Sequence, residues 1–359
     1  MPSAWNTYLP LLALWCAVLA IASLVVRELG VRCLRKYPLT ALVLILSLSS
    51  FPLGAMYKLS RPYRTRILAM ILREKSAPIS PGMCPMFPPD HIWNRRVNEL
   101  PVDPNSQRYV QQMGPDDKLH ADFGLAGGYR YTVTDGTAPN NQITLESSES
   151  DPGPYHIPDD AHVEEGTDEH VLVLDRGRCL LYELFGATHT GPGRWTAGSA
   201  AIFDLRSNRL RPAGWTSADG AGTAILPGLA RYEEVAAGRI AHALRFTTRR
   251  TRRAYVWPAR HFASASNDPS LPPMGQRFRL KGGVEISGFS RETQVILTAL
   301  KEYGMILADN GGNWYVSGAL DSRWPGSMPR EFAQLHGSDF EAVDVSSLMI
   351  SPDSAQARQ

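Results

Sequence analysis

The strongest hydrophobic pattern of the chain lies between residues 170 and 185. Apolar residues fill 170–175 and 179–185 on either side of a short Arg-Gly-Arg turn, which predicts a β-hairpin. Successive residues of a strand point to opposite faces, and here both faces are largely apolar. We therefore expect the hairpin at the centre of a sheet that is covered on both sides.

Glu183 is the exception on the second strand, because it places a carboxylate on an otherwise apolar face. Burying an unpaired charge costs several kcal/mol. Two interpretations remain open. Glu183 is either a structural residue held by a cationic or hydrogen-bonding partner, or a carboxylate that opens onto a functional cleft, where groups with shifted pKa values cluster.

The chain after residue 119 consists mostly of short β-type runs separated by Gly, Pro, Asn and Asp. Strands are predicted at 129–134, 201–205, 240–247, 254–257 and 277–280. Helices are predicted at 106–113 and 232–237, and over 290–304 with Ser290 as N-cap and Gly304 as the stop. A last hairpin is predicted from 305–308 and 314–317, around an Asp-Asn-Gly-Gly-Asn turn.

These elements predict a mainly β fold, organised as one β-sandwich or jelly-roll-like domain with a few short helices. The order shows no internal repeat and no βαβ alternation, which argues against a Rossmann-like fold. We place a Pro/Ser-rich linker at 78–89, the β-rich extracytoplasmic domain at 84–345 and a disordered tail at 346–359.

Residues 1–77 are hydrophobic and basic, with apolar runs at 9–26 and 39–57, each followed by a basic stretch. Either both runs are transmembrane helices, or 32–55 is a signal sequence. The segment 61–75 also fits a basic amphipathic helix on a membrane surface. Every one of these interpretations allows export, so we expect an extracytoplasmic protein that is membrane-anchored or secreted.

The distribution of charge along the chain bears on which binding partners the protein can have. The 359 residues carry a net charge of +2; residues 1–77 hold ten Lys/Arg and two Asp/Glu, for +8, and the rest hold 27 and 33, for −6. A slightly acidic main body argues against nucleic acid as a partner.

Cys84 and Cys179 are the two cysteines of that body, and they form either one disulfide that closes a long loop or two free thiols.

Two segments place carboxylates beside other reactive groups. His120 and Asp122 would face the same side of a strand and could share a metal ion or a proton, although a plain surface loop explains them equally. In the loop 214–222, Trp215 offers a flat face suited to stacking on a sugar, and Asp219 offers a carboxylate. The competing interpretation of that loop is a structural Gly/Asp turn with a packed Trp215.

Basic and aromatic residues follow in 255–262. Trp257 precedes Arg260, which could pair with Glu183 or bind an acidic ligand, and His261 could act as an acid or base. An arginine held in a structural ion pair is the competing interpretation. Tyr155 lies in the Pro-rich loop 150–158, which cannot pair as a central strand and could line a site.

Motifs of several large enzyme classes are missing from the sequence. It contains no Gly-x-Ser-x-Gly elbow, no P-loop, no Gly-x-Gly-x-x-Gly in a βαβ context and no His-Glu-x-x-His. Serine hydrolases, NTPases, dehydrogenases and zincins are therefore unsupported. We expect no cofactor and no metal ion.

Eight segments together resemble a family of secreted or envelope-associated bacterial β-rich proteins with no known activity. They are FPPDHIWN (87–94), HADFG (120–124), SDPGPY (150–155), HVLVLD (170–175), LYELF (181–185), AIFDL (201–205), GWTSAD (214–219) and WPARH (257–261). The resemblance covers residues 86–344 and implies export and a single domain. The two hydrophobic runs at the N-terminus depart from the single signal peptide usual in that family.

The functional hypothesis is a carbohydrate-active protein, because carboxylates occur with loop aromatics in a chain predicted to be exported. In the enzymatic version Glu183 and Asp219 cleave a glycosidic bond, and Asp122 is a further candidate. His261 and Arg260 would then set the local charge. The predicted substrate-binding residues are Trp215, Trp257, Arg260 and Tyr155.

The alternative hypothesis is a non-catalytic carbohydrate-binding or structural module of the envelope. In either version the expected partners are the membrane, through the N-terminal segments, and a polysaccharide. The rival interpretations separate on one structural question, which is whether the carboxylates lie together in an open cleft or are individually bonded inside the core.

Overall fold

The computed structural model describes residues 84–125 and 127–359. The two apolar runs predicted at 9–26 and 39–57, the basic stretches after them and the first half of the linker, 78–83, lie outside the described residues. Within the described ranges, no helix is both long enough and apolar enough to cross a membrane.

Strands predominate over helices in this part of the chain, which confirms the prediction of a mainly β fold. The strands are β1 (His120–Asp122), β2 (Thr132–Thr134), β3 (Gln142–Leu145), β4 (Val171–Asp175), β5 (Leu180–Phe185), β6 (Thr188–Gly191), β7 (Arg194–Ala197), β8 (Ser199–Asp204), β9 (Leu244–Thr248), β10 (Arg277–Leu280), β11 (Met305–Asn310), β12 (Tyr315–Ser317) and β13 (Phe340–Val343). The α-helices are α1 (Ser106–Met113), α2 (Tyr232–Ala236), α3 (Arg291–Glu302) and α4 (Met328–Phe332).

The strands form three sheets, each of which contains both parallel and antiparallel pairs. The largest has the order β1-β12-β9-β11-β10-β13, the second β2-β4-β5-β8 and the third β3-β7-β6. In the largest sheet β9 runs parallel to β11 and antiparallel to β12. Its main core cluster includes Phe246, Phe278, Trp314 and Phe340, together with Leu300 from α3.

The hairpin predicted at 170–185 is confirmed as β4 and β5, which pair antiparallel at the centre of the second sheet. Both faces of the hairpin are buried. Leu172 and Leu181 pack into one hydrophobic cluster, and Val173 and Tyr182 pack into another that contains Trp195. The two apolar faces of the sequence pattern therefore correspond to two separate cores on either side of this sheet.

The helix boundaries follow the residues that the sequence indicated. Helix α1 ends before Gly114, which has φ 87°, in the left-handed region that favours glycine. Helix α3 begins after Ser290, whose side chain accepts a hydrogen bond from the backbone N–H of Thr293. These confirmed ends depend on local chemistry alone. The short helix α4 was not predicted.

The last predicted hairpin is wrong in its pairing. The strands β11 and β12 both form, but β9 lies between them and pairs with each. Strand β9 contributes the fully buried Leu244 and Phe246, so its insertion extends the apolar core. The predicted strand at 254–257 is also absent, because Tyr255 makes only an isolated bridge to Met274.

The cysteine pairing left open by the sequence is a disulfide. Cys84 and Cys179 are bonded, with their Cα atoms 5.5 Å apart and a sequence separation of 95 residues. Cys84 lies at the start of the described chain and Cys179 in the turn between β4 and β5. The bond therefore fixes the first residues of the domain to its central hairpin.

The segment 346–359 differs from the expectation of a disordered tail. The backbone N–H of Ile92 donates to the carbonyl oxygen of Ala355 at 2.9 Å, and that of Ala357 donates to Asp90 at 2.8 Å. The N–H of Ala355 donates to Asn208. Since Ala355 and Ala357 are buried, this segment is a packed part of the domain.

Candidate functional site

Arg245 of β9 is the centre of a buried polar network that contains Asp219. The Nε of Arg245 donates to Oδ2 of Asp219 at 3.0 Å, and its Nη1 donates to the hydroxyl of Ser317 at 2.7 Å. Asp219 is 1% exposed. Burial raises the pKa of Asp219 to about 6 against the opposing pull of Arg245. Asp219 is therefore held in a buried ion pair with Arg245.

Glu183 is enclosed in the same region, but among the described residues it has no cationic partner within hydrogen-bonding distance. Its carboxylate accepts hydrogen bonds from the backbone N–H groups of Ile225 and Leu226 at 2.8–3.0 Å. These amides lie at the start of the 3-10 helix Leu226–Gly228, where N–H groups lack partners inside the helix. Burial raises the pKa of Glu183 to about 7, and the two amides oppose that rise. This bonding corresponds to the structural interpretation of Glu183, in which partners inside the protein hold the carboxylate. The partners are backbone N–H groups and not a cation.

His170, at the entry to β4, joins this network through two acceptors. Its Nδ1 contacts a carboxylate oxygen of Glu164, and its Nε2 lies 3.0 Å from the carbonyl oxygen of Ala218. Because both partners accept hydrogen bonds, the ring satisfies both only when it carries two protons. Burial works against that charge, but the Glu164 carboxylate outweighs it and the pKa of His170 is raised.

Asp122 is the accessible carboxylate of the predicted set. It lies on β1 with His120 on the same exposed side, as the alternation of a strand requires. The His120 ring stacks on Tyr315 with centroids 3.9 Å apart. The protein around its carboxyl group raises the pKa of Asp122, while His120 and Arg245 oppose the rise. Within the described residues, no group of three or more His, Cys, Asp or Glu side chains could hold a metal ion.

Burial limits what Glu183 and Asp219 can do chemically. Glu183 is 0% exposed, and each carboxylate is already bonded to protein donors. Burial is the main cause of the raised pKa of Glu183, and electrostatic repulsion from Asp219 adds to it. A glycosidic bond could reach the pair only if this part of the core opened.

A separate cavity of about 460 Å³ contains two of the predicted binding residues, Trp257 and Arg260. Half-buried Tyr255 lines it beside Trp257. The Trp257 indole N–H donates to the carbonyl oxygen of Ser354 at 2.8 Å, which fixes the ring. The cavity also receives Pro352 and Asp353, so the C-terminal segment builds part of its wall.

Arg260 is held by the C-terminal segment and not by Glu183. Its Nη1 donates to the carbonyl oxygen of Pro352 and its Nη2 to the carboxylate of Asp353, both at 2.7 Å. Arg260 is 6% exposed, whereas the Asp353 side chain is 77% exposed. The suggested pairing of Arg260 with Glu183 is therefore wrong, because Glu183 faces backbone amides elsewhere.

Arg277 of β10 is a cavity residue that the sequence did not reveal. It is 1% exposed and donates to main-chain carbonyl groups, including that of Tyr303 at 2.7 Å. Burial lowers its pKa to about 9. In the sequence Arg277 alternates with apolar residues on a strand, a pattern that a solvated face produces equally well.

Comparison with known proteins does not supply a family. No family model, curated protein or solved structure matches the chain. Two features of the described residues bear on the function. These are the buried network around Arg245 and the cavity at Trp257.

The remaining predicted site residues lie outside the cavity lining. Tyr155 is buried among the residues that pack around Trp195, and its hydroxyl donates to the Asp151 carbonyl group. Trp215 lies 5.7 Å from the Arg211 guanidinium carbon in a cation–π contact. The Nδ1 of His261 is 3.0 Å from the Gly220 carbonyl oxygen. Of the predicted site residues, Trp257 and Arg260 are the two that line this cavity.

Proposed function

We propose that residues 84–359 form an extracytoplasmic carbohydrate-binding domain that does not cleave its ligand. The observation that carries the proposal is the cavity of about 460 Å³ with the half-buried Trp257 and Tyr255 on its wall. Small-molecule sites are typically concave, 300–1,000 Å³ in volume and mostly apolar, with a few placed polar groups. An indole ring with its N–H already bonded offers its flat face to a sugar ring.

Binding is favoured over cleavage by the state of the carboxylates. Hydrolysis needs two carboxyl groups that flank the scissile bond from an open cleft. Glu183 and Asp219 are enclosed and bonded, and neither lines the cavity. The cavity therefore has groups suited to holding a sugar, while the predicted catalytic pair is committed to the core.

The proposed location outside the cytoplasm is supported by the Cys84–Cys179 bond, because disulfides persist mainly in oxidising compartments. The basic, hydrophobic residues 1–77 would anchor or direct the domain at the membrane. We further propose that the three mixed sheets belong to a sandwich or jelly-roll type of architecture. Two hydrophobic clusters on opposite faces of the β4–β5 hairpin support that assignment.

The test of binding is a glycan array probed with the full-length chain and two tryptophan variants. We expect Trp257→Ala to weaken glycan binding by roughly tenfold or more, as for a central aromatic contact. Trp215→Ala is the matched control, since Trp215 is half-buried but outside the cavity. Equal binding by both variants, or no glycan bound by the unaltered chain, would count against the proposal.

Glycoside cleavage is the second candidate, and one observation favours it. Asp122 is exposed and has a raised pKa, the property of a carboxyl group that acts as general acid. In this version Asp122 would act with Glu183 or Asp219, and His261 would assist. Release of reducing ends by the full-length chain, abolished in Asp122→Asn, would establish it; binding without release supports the first candidate.

A further inference from the structure

Arg260 has more hydrogen-bonding capacity than the protein around it satisfies. Its two Nη atoms reach Pro352 and Asp353, but among the described residues its buried Nε has no acceptor. The carboxylate that faces it belongs to Asp353, which is largely in solvent. Within the part of the chain that the structure describes, the one acidic partner of this buried guanidinium is therefore an exposed side chain, with which solvent and salt compete.

Arg277 adds a second buried guanidinium to the same cavity. Across residues 84–125 and 127–359 it takes part in no ion pair and donates only to the carbonyl groups of Ile92, Arg95 and Tyr303. Burying a cation without an anion costs free energy, and an anion placed near it lowers that cost. Arg277 therefore contributes a buried positive charge that no ion pair among the described residues neutralises.

The other acidic residues of the cavity are engaged in their own turns. The carboxylate of Asp103 accepts from the backbone N–H of Asn105 at 2.7 Å, and that of Asp344 accepts from Ser346 at 2.8 Å. Neither forms an ion pair with Arg260 or Arg277 among the described residues. The negative charges of Asp103 and Asp344 would repel an anionic ligand from their part of the cavity. The end near Arg260 is therefore the favourable position for such a ligand.

We propose that the cavity binds a sugar that bears a carboxylate, with Arg260 as the group that receives that carboxylate. The inference rests on the proposed carbohydrate-binding function and names its substrate class. A guanidinium presents a rigid set of N–H donors that matches a carboxylate in two-point contact. Trp257 packs against the sugar ring, while Arg260 selects the acidic substituent.

Asp353 competes with that ligand for Arg260. The contact is intramolecular, but it involves an exposed carboxylate, and exposed ion pairs are weak. The incoming carboxylate replaces the Asp353 contact on a guanidinium that is already positioned by the Pro352 carbonyl group. The C-terminal segment therefore both builds the cavity wall and limits its affinity.

The experiment compares acidic glycans with their methyl esters, because esterification removes the charge and keeps the sugar. The probes are oligomers of galacturonic, glucuronic and mannuronic acid, their methyl esters, and neutral glucose and galactose oligomers, titrated into the full-length chain. We expect binding to an acidic oligomer, at least roughly tenfold weaker binding to its ester, and loss of that difference in Arg260→Gln. Asp353→Asn should bind the acid about two- to fivefold more tightly.

The outcomes separate this inference from the function on which it rests. Binding of neutral oligomers alone, or equal binding of acid and ester, overturns the acidic-sugar inference and leaves carbohydrate binding in place. No binding to any probe counts against both. If Arg260→Gln does not fold, Asp353→Asn decides, since its side chain is exposed; unchanged affinity for the acidic oligomer then contradicts the role of Arg260.

Discussion

Glu183 shows how one polar residue is accommodated in the middle of an apolar strand. Its neighbours Leu181 and Leu184 pack into different hydrophobic clusters, so both sides of β5 are buried at this point. The carboxylate is satisfied by the N–H groups of Ile225 and Leu226. Its burial nevertheless favours the protonated form, which gives it a pKa of about 7 against an ordinary 4.5.

The raised pKa of Glu183 makes stability depend on pH. The unfolded chain releases this proton near pH 4.5 and the folded chain near pH 7, so this group's contribution to stability falls as pH rises between those values. We expect a loss of about 3 kcal/mol over that window. Urea unfolding of wild type and Glu183→Gln from pH 4 to 8 measures it, because the variant lacks this dependence. Parallel stability–pH curves for the two proteins would contradict the assignment.

Asp219 and Arg245 form a buried ion pair, in which the carboxylate accepts a hydrogen bond from the guanidinium. Among the described residues, loss of the Asp219 charge leaves Arg245 with only the longer contact to Asp309, at 3.7 Å. We expect Asp219→Asn to lower the free energy of unfolding by about 1.5–3 kcal/mol, because Arg245 loses its charged hydrogen-bond acceptor.

Asp122→Asn is the matched control for this change, since Asp122 is an exposed carboxylate close enough to Arg245 for an electrostatic interaction. Its effect on stability should stay within about 0.5 kcal/mol. Urea denaturation of both variants at pH 7 gives the comparison. A destabilisation of Asp122→Asn as large as that of Asp219→Asn would show that the buried pair is not the dominant interaction.

The C-terminal segment 346–359 acts as a structural element although it contains no strand or α-helix. Three backbone hydrogen bonds connect Ala355 and Ala357 to Asp90, Ile92 and Asn208. Small side chains allow the segment to approach the domain closely. Its Pro352 and Asp353 then reach Arg260 at the cavity wall.

Deletion of 346–359 should destabilise the domain by about 2–4 kcal/mol, because each lost backbone hydrogen bond is worth about 1 kcal/mol. Thermal and urea unfolding of the truncated chain measure the loss. Ile350→Ala is the control, since Ile350 is 49% exposed and its truncation leaves the segment in place. A truncated chain as stable as the control would show that the packing of the segment contributes nothing to folding.

At the scale of the whole molecule, the Cys84–Cys179 disulfide joins the first described residue to the central hairpin across 95 positions. A crosslink over so long a loop restricts the unfolded chain strongly. We expect reduction to lower the free energy of unfolding by about 2–5 kcal/mol. Cys84→Ser and Cys179→Ser should each reproduce that loss and abolish the response to reductant. A wild-type melting temperature that reductant leaves unchanged would rule out a stabilising role for the bond.

Sequence alone determined the features that depend on near neighbours. Two continuous apolar runs on either side of a Gly-containing turn predicted the β4–β5 hairpin, because apolar residues on both faces of a strand indicate burial on both sides. Gly114 and Ser290 predicted helix ends, because capping and left-handed backbone are properties of single residues and the adjacent turn. Trp257 and Arg260 were likewise found as neighbours in one short segment.

Only the tertiary structure decided which distant groups meet. It placed β9 between β11 and β12, where the strand pattern had favoured a simple hairpin. It assigned Glu183 to backbone amides and Arg260 to Asp353, and it buried Arg277 beside the cavity. Periodicity reports that a residue has a buried or exposed side, but a hydrogen bond or ion pair across many positions depends on how whole elements pack, and that information is not local.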